Sequence, residues 1–181
     1  NAELCNLIAS TLLSCGLKKD QFVINISNRK IVQGLIEDLK ISEDKKIKVM
    51  RAIDKLDKPG FGLRGVEDLL KKERVDISGA VTKGADLTDD QASQIINFLK
   101  VKDLKELKEN LKNPLSQEGI QELSGILEVA SYGDYLDQIK TNFTIVRGLN
   151  YYDGFCVETN LNFKAKNSKG KEVDIGSICS G

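Results

Sequence analysis

The chain has 181 residues, with 27 lysines and arginines against 27 aspartates and glutamates, 40% apolar and 30% charged residues, and no histidine. Such a chain is long and apolar enough for one or two domains with a sizeable core, which excludes a disordered tail. The balanced charge excludes a chain-wide field for nucleic acid, and no apolar run approaches the roughly 20 residues of a membrane span.

From the amino end, Leu4, Leu7, Ile8, Thr11 and Leu12 recur at three and four residues. They predict a helix over Asn1–Cys15 with Gly16 as its C-cap. Gln21–Ile26 alternates as a strand, with Phe22, Ile24 and Ile26 on one side and Val23 and Asn25 on the other. Ser27 or Asn28 can cap a second helix whose stripe is Ile31, Val32, Leu35, Ile36 and Leu39. Helix, strand, helix is an α/β opening.

The character changes from Ser42 to Leu115, which reads as helical and strongly charged, with no alternating strand. Ser42 can cap a helix with Ile47, Met50, Ile53 and Leu56 on its core face, broken by Pro59-Gly60-Phe61-Gly62. Val66, Leu69 and Leu70 mark a short helix, and Thr88-Asp89-Asp90-Gln91 has the form of a capping box ahead of Ala92, Ile95, Ile96 and Leu99. Leu104, Leu107 and Leu111 mark another helix, ended by Asn113-Pro114. Ser116 can then cap a helix carrying Ile120, Leu123, Leu127 and Ala130. Strand character returns at Phe143–Val146, and Phe155–Phe163 and Glu172–Cys179 read as two arms of a hairpin around the polar loop Lys164–Lys171. The expected organisation is an α/β (α+β) domain in two pieces, 1–41 and 116–181, interrupted by a mostly helical insertion over 42–115.

Four cysteines, Cys5, Cys15, Cys156 and Cys179, are scattered without CxxC spacing, and nothing clusters ligands for zinc. Reduced, mostly buried thiols in a cytoplasmic protein are expected, with no protein-bound metal. The amino terminus has neither an initiating Met nor a signal-peptide pattern. Without histidine, Ser-His-Asp and Cys-His catalysis are excluded, so any chemistry rests on positioning and electrostatics.

One stretch could carry it. Arg147-Gly148-Leu149-Asn150-Tyr151-Tyr152 follows the apolar run at 143–146, and Asp153-Gly154 leads out of it. An arginine at a strand mouth suits a phosphate or carboxylate, because its fork donates two parallel hydrogen bonds. Two tyrosines offer an aromatic wall and hydroxyls. Chemistry alone equally allows a turn with an exposed arginine and two core tyrosines.

RGLNYYDGFCVE resembles the RGLDYYTGxxFE signature of histidyl-tRNA synthetases, which are class II aminoacyl-tRNA synthetases. Asn25–Leu35 (NISNRKIVQGL) upstream and Gly176–Gly181 (GSICSG) downstream resemble the same family in the same order. The resemblance implies part of a class II antiparallel-sheet catalytic domain with a helical insertion. The implied parent is a cytoplasmic, homodimeric histidine-tRNA ligase. It forms histidyl-adenylate from histidine and ATP, with Mg2+ accompanying the nucleotide, and transfers histidine to tRNA-His.

It also implies residue roles. Arg147 would contact the amino-acid carboxylate and the α-phosphate of ATP. Tyr152 would meet the histidine side chain and Tyr151 its amino end, since adjacent strand residues point opposite ways. Gly148 fits a close approach, and Gly176, Ser177, Ser180 and Gly181 a strand of small residues against which ligand can lie. Glu158 would orient Arg147 or substrate, or simply pair with the arginine structurally. Asn150 and Asp153 stand where Asp and Thr are usual, which leaves the implied Arg and Tyr roles intact. Asn28-Arg29-Lys30, at a helix start, can be read as a phosphate site, but the family implies a structural stretch.

The insertion as a whole is barely basic, with 16 Lys/Arg against 14 Asp/Glu over 42–115, whereas 40–74 holds 11 against 7. The resemblance implies that it contacts the tRNA acceptor stem through phosphates, and Lys45, Lys46, Lys48, Arg51 and Lys55 are the candidate surface. Composition alone is satisfied by a solvated helical face. The family's second motif would precede Asn1, and its third motif and anticodon-binding domain would follow Gly181, so the 181 residues alone are expected to be inactive. Two rival readings remain: a synthetase-like regulatory subunit of ATP phosphoribosyltransferase, and a non-catalytic tRNA-binding module.

Overall fold

A computed structural model describes residues 1–58, 60–75, 79, 81–146, 153–173 and 175–181. In chain order the elements are α1 (Ala2–Ser14), β1 (Phe22–Asn28), α2 (Arg29–Asp38), α3 (Glu43–Ile53) and α4 (Gly62–Lys71). The two-residue strands β2 (Arg74–Val75) and β3 (Val81–Thr82) come next, then α5 (Asp89–Lys100), α6 (Leu104–Asn110) and α7 (Pro114–Ala130). A 3-10 turn at Leu136–Gln138 leads into β4 (Ile139–Thr141), β5 (Phe155–Leu161), β6 (Ala165–Lys166), β7 (Glu172–Val173) and β8 (Ser177–Ser180).

The main sheet has the order β4-β1-β5-β8. β5 runs antiparallel to both β1 and β8, while β4 joins β1 in parallel. Its strands come from both sides of the 43–110 stretch, so the fold is mixed α/β. Alternation sets the faces: Phe22, Ile24 and Ile26 are buried, as are Val157 and Thr159 on β5. Against that buried side lie α7 and α1. The other side carries Asn25, Glu158 and Asn160.

Small residues let α2 and α7 approach closely. A Cβ on Gly119 would stand 3.0 Å from Ile31 Cγ1 and from Lys30 Cβ, and Ser116 Oγ donates to the Ile31 carbonyl at 2.8 Å. One cluster of charge then ties α2 down. Lys30 Nζ donates to Glu118 at 2.7 Å and to Glu122 at 2.6 Å, and the buried Asn28 amide donates to the other Glu122 oxygen. Asn28 also caps α2 by accepting from Lys30 N–H at 3.0 Å.

Burial alone would raise the Glu122 pKa, but the Lys30 ammonium and the Asn28 amide outweigh it and hold the carboxyl below its ordinary value. A depressed carboxyl contributes stability above its unfolded pKa, and loses it as pH falls through the folded value. Glu122→Ala leaves the buried Asn28 amide without that acceptor and is expected to cost about 1–3 kcal/mol at pH 7. Urea denaturation of both chains from pH 7 down through the acid range should show the gap narrowing below the usual carboxylate range. A gap independent of pH would mean that the charge contributes nothing.

The structure departs from the sequence expectations at five places. Leu4 and Leu7 are exposed, and α1 buries Ala2, Cys5 and Ala9 beside the expected Ile8. The helical block contains the β2–β3 ladder, too short to show alternation. Asn113, not Ser116, caps α7, accepting from Leu115 N–H at 2.9 Å with Pro114 in the first turn. Phe143–Val146 is a buried turn rather than a strand; Asn142 Oδ1 accepts from Thr144 N–H and Oγ, and the edge strand is β4. The two hairpin arms do pair, as β5 with β8, but the loop between them holds the small β6–β7 ribbon. The capping box forms at Thr88 and Gln91 with both of its hydrogen bonds.

Candidate active site

The motif's central residues, Arg147, Gly148, Tyr151 and Tyr152, lie outside the described residues. Their surroundings are described. Phe143, Ile145 and Val146 are buried on the near side, and the Asn142 N–H donates to the Ile26 carbonyl at 2.9 Å. On the far side the chain rejoins the sheet at β5, where Phe155 is in register with Asn28. The chain on either side of the motif, at Asn142 and at Phe155, therefore meets the sheet beside the carboxyl half of β1.

A cleft of about 490 Å³ opens on the sheet's polar side. Glu158, Asn160, Gly176 and Ser177 form one wall, and Asp54, Asp57 and Lys58, at the end of α3 and just after it, form another. Asn25 Nδ2 donates to Asn160 Oδ1 at 2.9 Å, and Asn160 Nδ2 to Glu158 Oε1 at 3.4 Å. This amide chain gives the Glu158 carboxylate a preferred direction along the strand. Gly176 has φ +72°, a conformation that a side chain would strain, and Ser177 Oγ donates to the Cys179 carbonyl at 3.0 Å.

Of the four small residues singled out in the sequence, Gly176 and Ser177 line this cleft. Ser180 opposes Glu158, and Gly181 exchanges backbone hydrogen bonds with Val157 at 2.8 and 3.0 Å, both outside the cleft wall. Asn25, Asn160, Asp54, Asp57 and Lys58 were missed. The two asparagines had a signal: each is a polar residue on an alternating strand, on the same face as Glu158.

A second, basic cleft of about 610 Å³ lies between α3 and β3. Lys48, Arg51, Lys55, Lys58 and Lys83 line it, with Asp54 the single acid among the described lining residues. Three of the five cations named in the sequence meet there. The other two are engaged elsewhere: Lys45 Nζ donates to the Asp86 carbonyl at 2.6 Å, and Lys46 pairs with Glu43 at 3.2 Å. Lys55 Nζ donates to Thr82 Oγ at 3.3 Å and stands 5.6 Å from the Phe61 ring centroid. Asp54 and Lys58 line both clefts, so the basic surface is continuous with the polar side of the sheet.

Among the described residues no group of three or more Cys, Asp or Glu is placed to hold a metal ion, and no helix is long and apolar enough to cross a membrane. The cysteines are unbridged: Cys5 and Cys156 are buried, Cys179 half-buried and Cys15 exposed.

The sequence model of histidyl-tRNA synthetases matches residues 1–162. The chain belongs to the histidyl-tRNA synthetase family. It is 93% identical over its whole length to the histidine–tRNA ligase of Pelagibacter ubique (strain HTCC1062), of which it spans 39%. It is 40% identical to that of Rhizobium leguminosarum bv. trifolii (strain WSM2304), spanning 37%. The chain thus corresponds to about two-fifths of these relatives' length. The histidyl-tRNA synthetase of Nostoc sp. PCC 7120 superposes on 88% of the chain with TM-score 0.71 at 27% identity, using 36% of that structure. A Bacillus halodurans C structure titled an ATP phosphoribosyltransferase regulatory subunit/histidyl-tRNA synthetase superposes on 99% with the same TM-score, using 41% of that structure. At 17% identity that second likeness speaks to fold alone.

Proposed function

We propose that this chain is the central segment of a histidine-tRNA ligase, which activates histidine with ATP and esterifies tRNA-His. The observation that carries the proposal is the polar cleft holding Glu158, Gly176 and Ser177, which Asn142, Thr144 and Ile145, just ahead of the RGLNYY sequence, also line. Activation joins a carboxylate to the α-phosphate and expels pyrophosphate, so negative charge builds on that phosphate. Arg147 supplies a fixed guanidinium for it, Tyr151 and Tyr152 bind the amino acid, and Gly148 lets the backbone approach. Glu158, oriented through Asn160, faces the histidine side of the site. Gly176 and Ser177 form its floor, with Ser180 and Gly181 extending the strand.

ATP is a substrate here, with Mg2+ accompanying it. The described residues offer no cluster for the ion, so none of this chain's side chains is assigned to it. Residues 42–115 act as the inserted module, and the parent is a cytoplasmic homodimer. The test is histidine-dependent ATP–pyrophosphate exchange by the full-length Pelagibacter relative carrying these 181 residues in place of its own. No exchange above background would overturn the reading in favour of a regulatory subunit or a binding module.

The basic cleft supports the second half of the reaction. Lys48, Arg51 and Lys55, with Lys58 and Lys83, bind tRNA backbone phosphates, with Lys45 and Lys46 at the margin. Lys48→Glu with Lys83→Glu should weaken tRNA-His binding at least tenfold and flatten the salt dependence by about two units of log K per log salt. Pyrophosphate exchange, which needs no tRNA, should be unchanged. Unaltered affinity and salt dependence would remove the cleft from the tRNA surface.

A further inference from the structure

The β6–β7 ribbon, in the loop between β5 and β8, has no part in the proposed function. Over 164–173 it holds four lysines, Lys164, Lys166, Lys169 and Lys171, against one acid, Glu172, in a chain with no net charge. All four lysines are exposed. Among the described residues their ammoniums form no ion pair or hydrogen bond, although Glu172 stands opposite Lys166 in the β6–β7 register. A charge run of this kind is often no more than a solvated surface. Two further observations set this one apart.

The first is aromatic. Phe163, one residue before Lys164, is 43% exposed, and Ile175, just beyond the ribbon, is 52% exposed. Singly exposed apolar residues are ordinary, but here a phenyl ring adjoins unpaired cations. The second is position. Leu161, the last residue of β5, and Gly176 and Ser177, where β8 begins, line the polar cleft, so the ribbon rises from that cleft's edge. Its root is pinned: the Asn162 N–H donates to the Gln21 carbonyl at 2.9 Å, and the Asn162 amide to the Asp20 carbonyl at 3.0 Å. Its tip is ordered too, since Asn167 Oδ1 accepts from the Lys169 and Lys171 N–H groups at 2.9 and 3.0 Å. The lysines are therefore carried on a shaped element beside the cleft.

Ammoniums beside an exposed ring match an unpaired polynucleotide. The cations meet its phosphates, and a base with a free face stacks on the ring, whereas a double helix keeps its bases stacked on one another. Resting on the proposed function, we infer that the β6–β7 ribbon is a second RNA contact, separate from the basic cleft, and that it grips the unpaired 3′ end of the tRNA beside the polar cleft. Phe163 stacks on a base, and Lys166 and Lys169 meet phosphates. The basic cleft between α3 and β3 takes the paired stem.

The experiment uses the full-length relative carrying these residues, as wild type, Phe163→Ala, and Lys166→Gln with Lys169→Gln. Fluorescence anisotropy reads the binding of two labelled probes over a range of salt: a tRNA-His transcript, and the same transcript without its unpaired 3′ end. The lysine pair should weaken binding of the intact transcript about tenfold and lower its salt slope by about 1.4, the share of two single-strand phosphates. Phe163→Ala should weaken it about tenfold with the slope unchanged, as loss of one stacked base requires. Neither variant should alter binding of the shortened transcript, whereas Lys48→Glu with Lys83→Glu should weaken both probes alike. Wild-type affinity for the intact transcript in both ribbon variants would overturn the inference and leave the ribbon to solvent or to an acidic protein. Equal losses on the two probes would overturn it as well, by placing the ribbon on the stem. If the wild type shows no histidine-dependent pyrophosphate exchange, the function reading falls, while the difference between the two transcripts still decides what the ribbon holds.

Discussion

Arg147→Ala, made in the full-length relative carrying this segment, is expected to lower histidine-dependent pyrophosphate exchange by a hundredfold or more. The reason is where the charge appears. In adenylate formation the α-phosphate oxygens gain negative charge in the transition state. A guanidinium already in place stabilises that charge without reorganisation, and removal of one such contact costs about 3–4 kcal/mol. Binding of ATP in the ground state should suffer less, so the loss should fall on kcat more than on KM for ATP. Arg147→Lys should recover only part of the rate, since an ammonium cannot donate in parallel to a carboxylate and a phosphate. The Lys48→Glu, Lys83→Glu pair supplies the contrast, with intact exchange and impaired tRNA binding. A loss smaller than about tenfold in Arg147→Ala would take the arginine out of the transition state.

What the sequence made legible follows from how local each signal is. The capping box at Thr88–Gln91 needs four consecutive residues and forms as read. The alternation of Phe22, Ile24 and Ile26 was readable because one face of β1 is buried and the period is two. Phe143–Val146 misled because four apolar residues have no readable period. Its burial comes from a turn organised by Asn142, and the true edge strand is three residues that pair with β1 from more than 100 positions away. Pro114 marked its predecessor as the cap, and Ser116, the more obvious hydroxyl, went instead to the Ile31 carbonyl.

The same distinction divides the candidate site. Glu158 lies on a strand inside a recognisable motif, and Asn160 shares its face two residues on. Lys83 joins Lys48 only because the two-residue ladder β2–β3 brings it to α3, and no run of sequence that short carries a pattern. Arg29, at a helix start, allowed a phosphate site, whereas the family resemblance implied a structural stretch. Its burial is a tertiary fact that no local pattern contains.

The α2–α7 contact carries the largest stability effect expected, through Gly34→Ala. In an isolated helix the change would be favourable by about 1 kcal/mol, since alanine loses less backbone freedom than glycine. Here the added Cβ would stand 2.6 Å from Asn113 Oδ1 and 2.7 Å from the Ser116 backbone nitrogen, and would also collide with Ser116 Oγ. Two of those atoms already have partners: Asn113 Oδ1 caps α7, and Ser116 Oγ is the buried donor to Ile31. Displacing the cap costs roughly 1 kcal/mol, stranding the buried hydroxyl about 1–3, and overpacking about 1–3 more. The losses exceed the propensity gain, leaving a net destabilisation of about 3 kcal/mol, or a fall in Tm on the order of 10 °C for a chain of this size. Gly125→Ala is the internal control. It lies on α7 with nothing within 4 Å of the added Cβ, so there the propensity term acts alone and the chain should gain up to about 1 kcal/mol. Urea denaturation of the three chains would read both signs. Equal stability of the Gly34 and Gly125 variants would mean that the two helices can part without cost, and that their close contact does not hold α2 against the sheet.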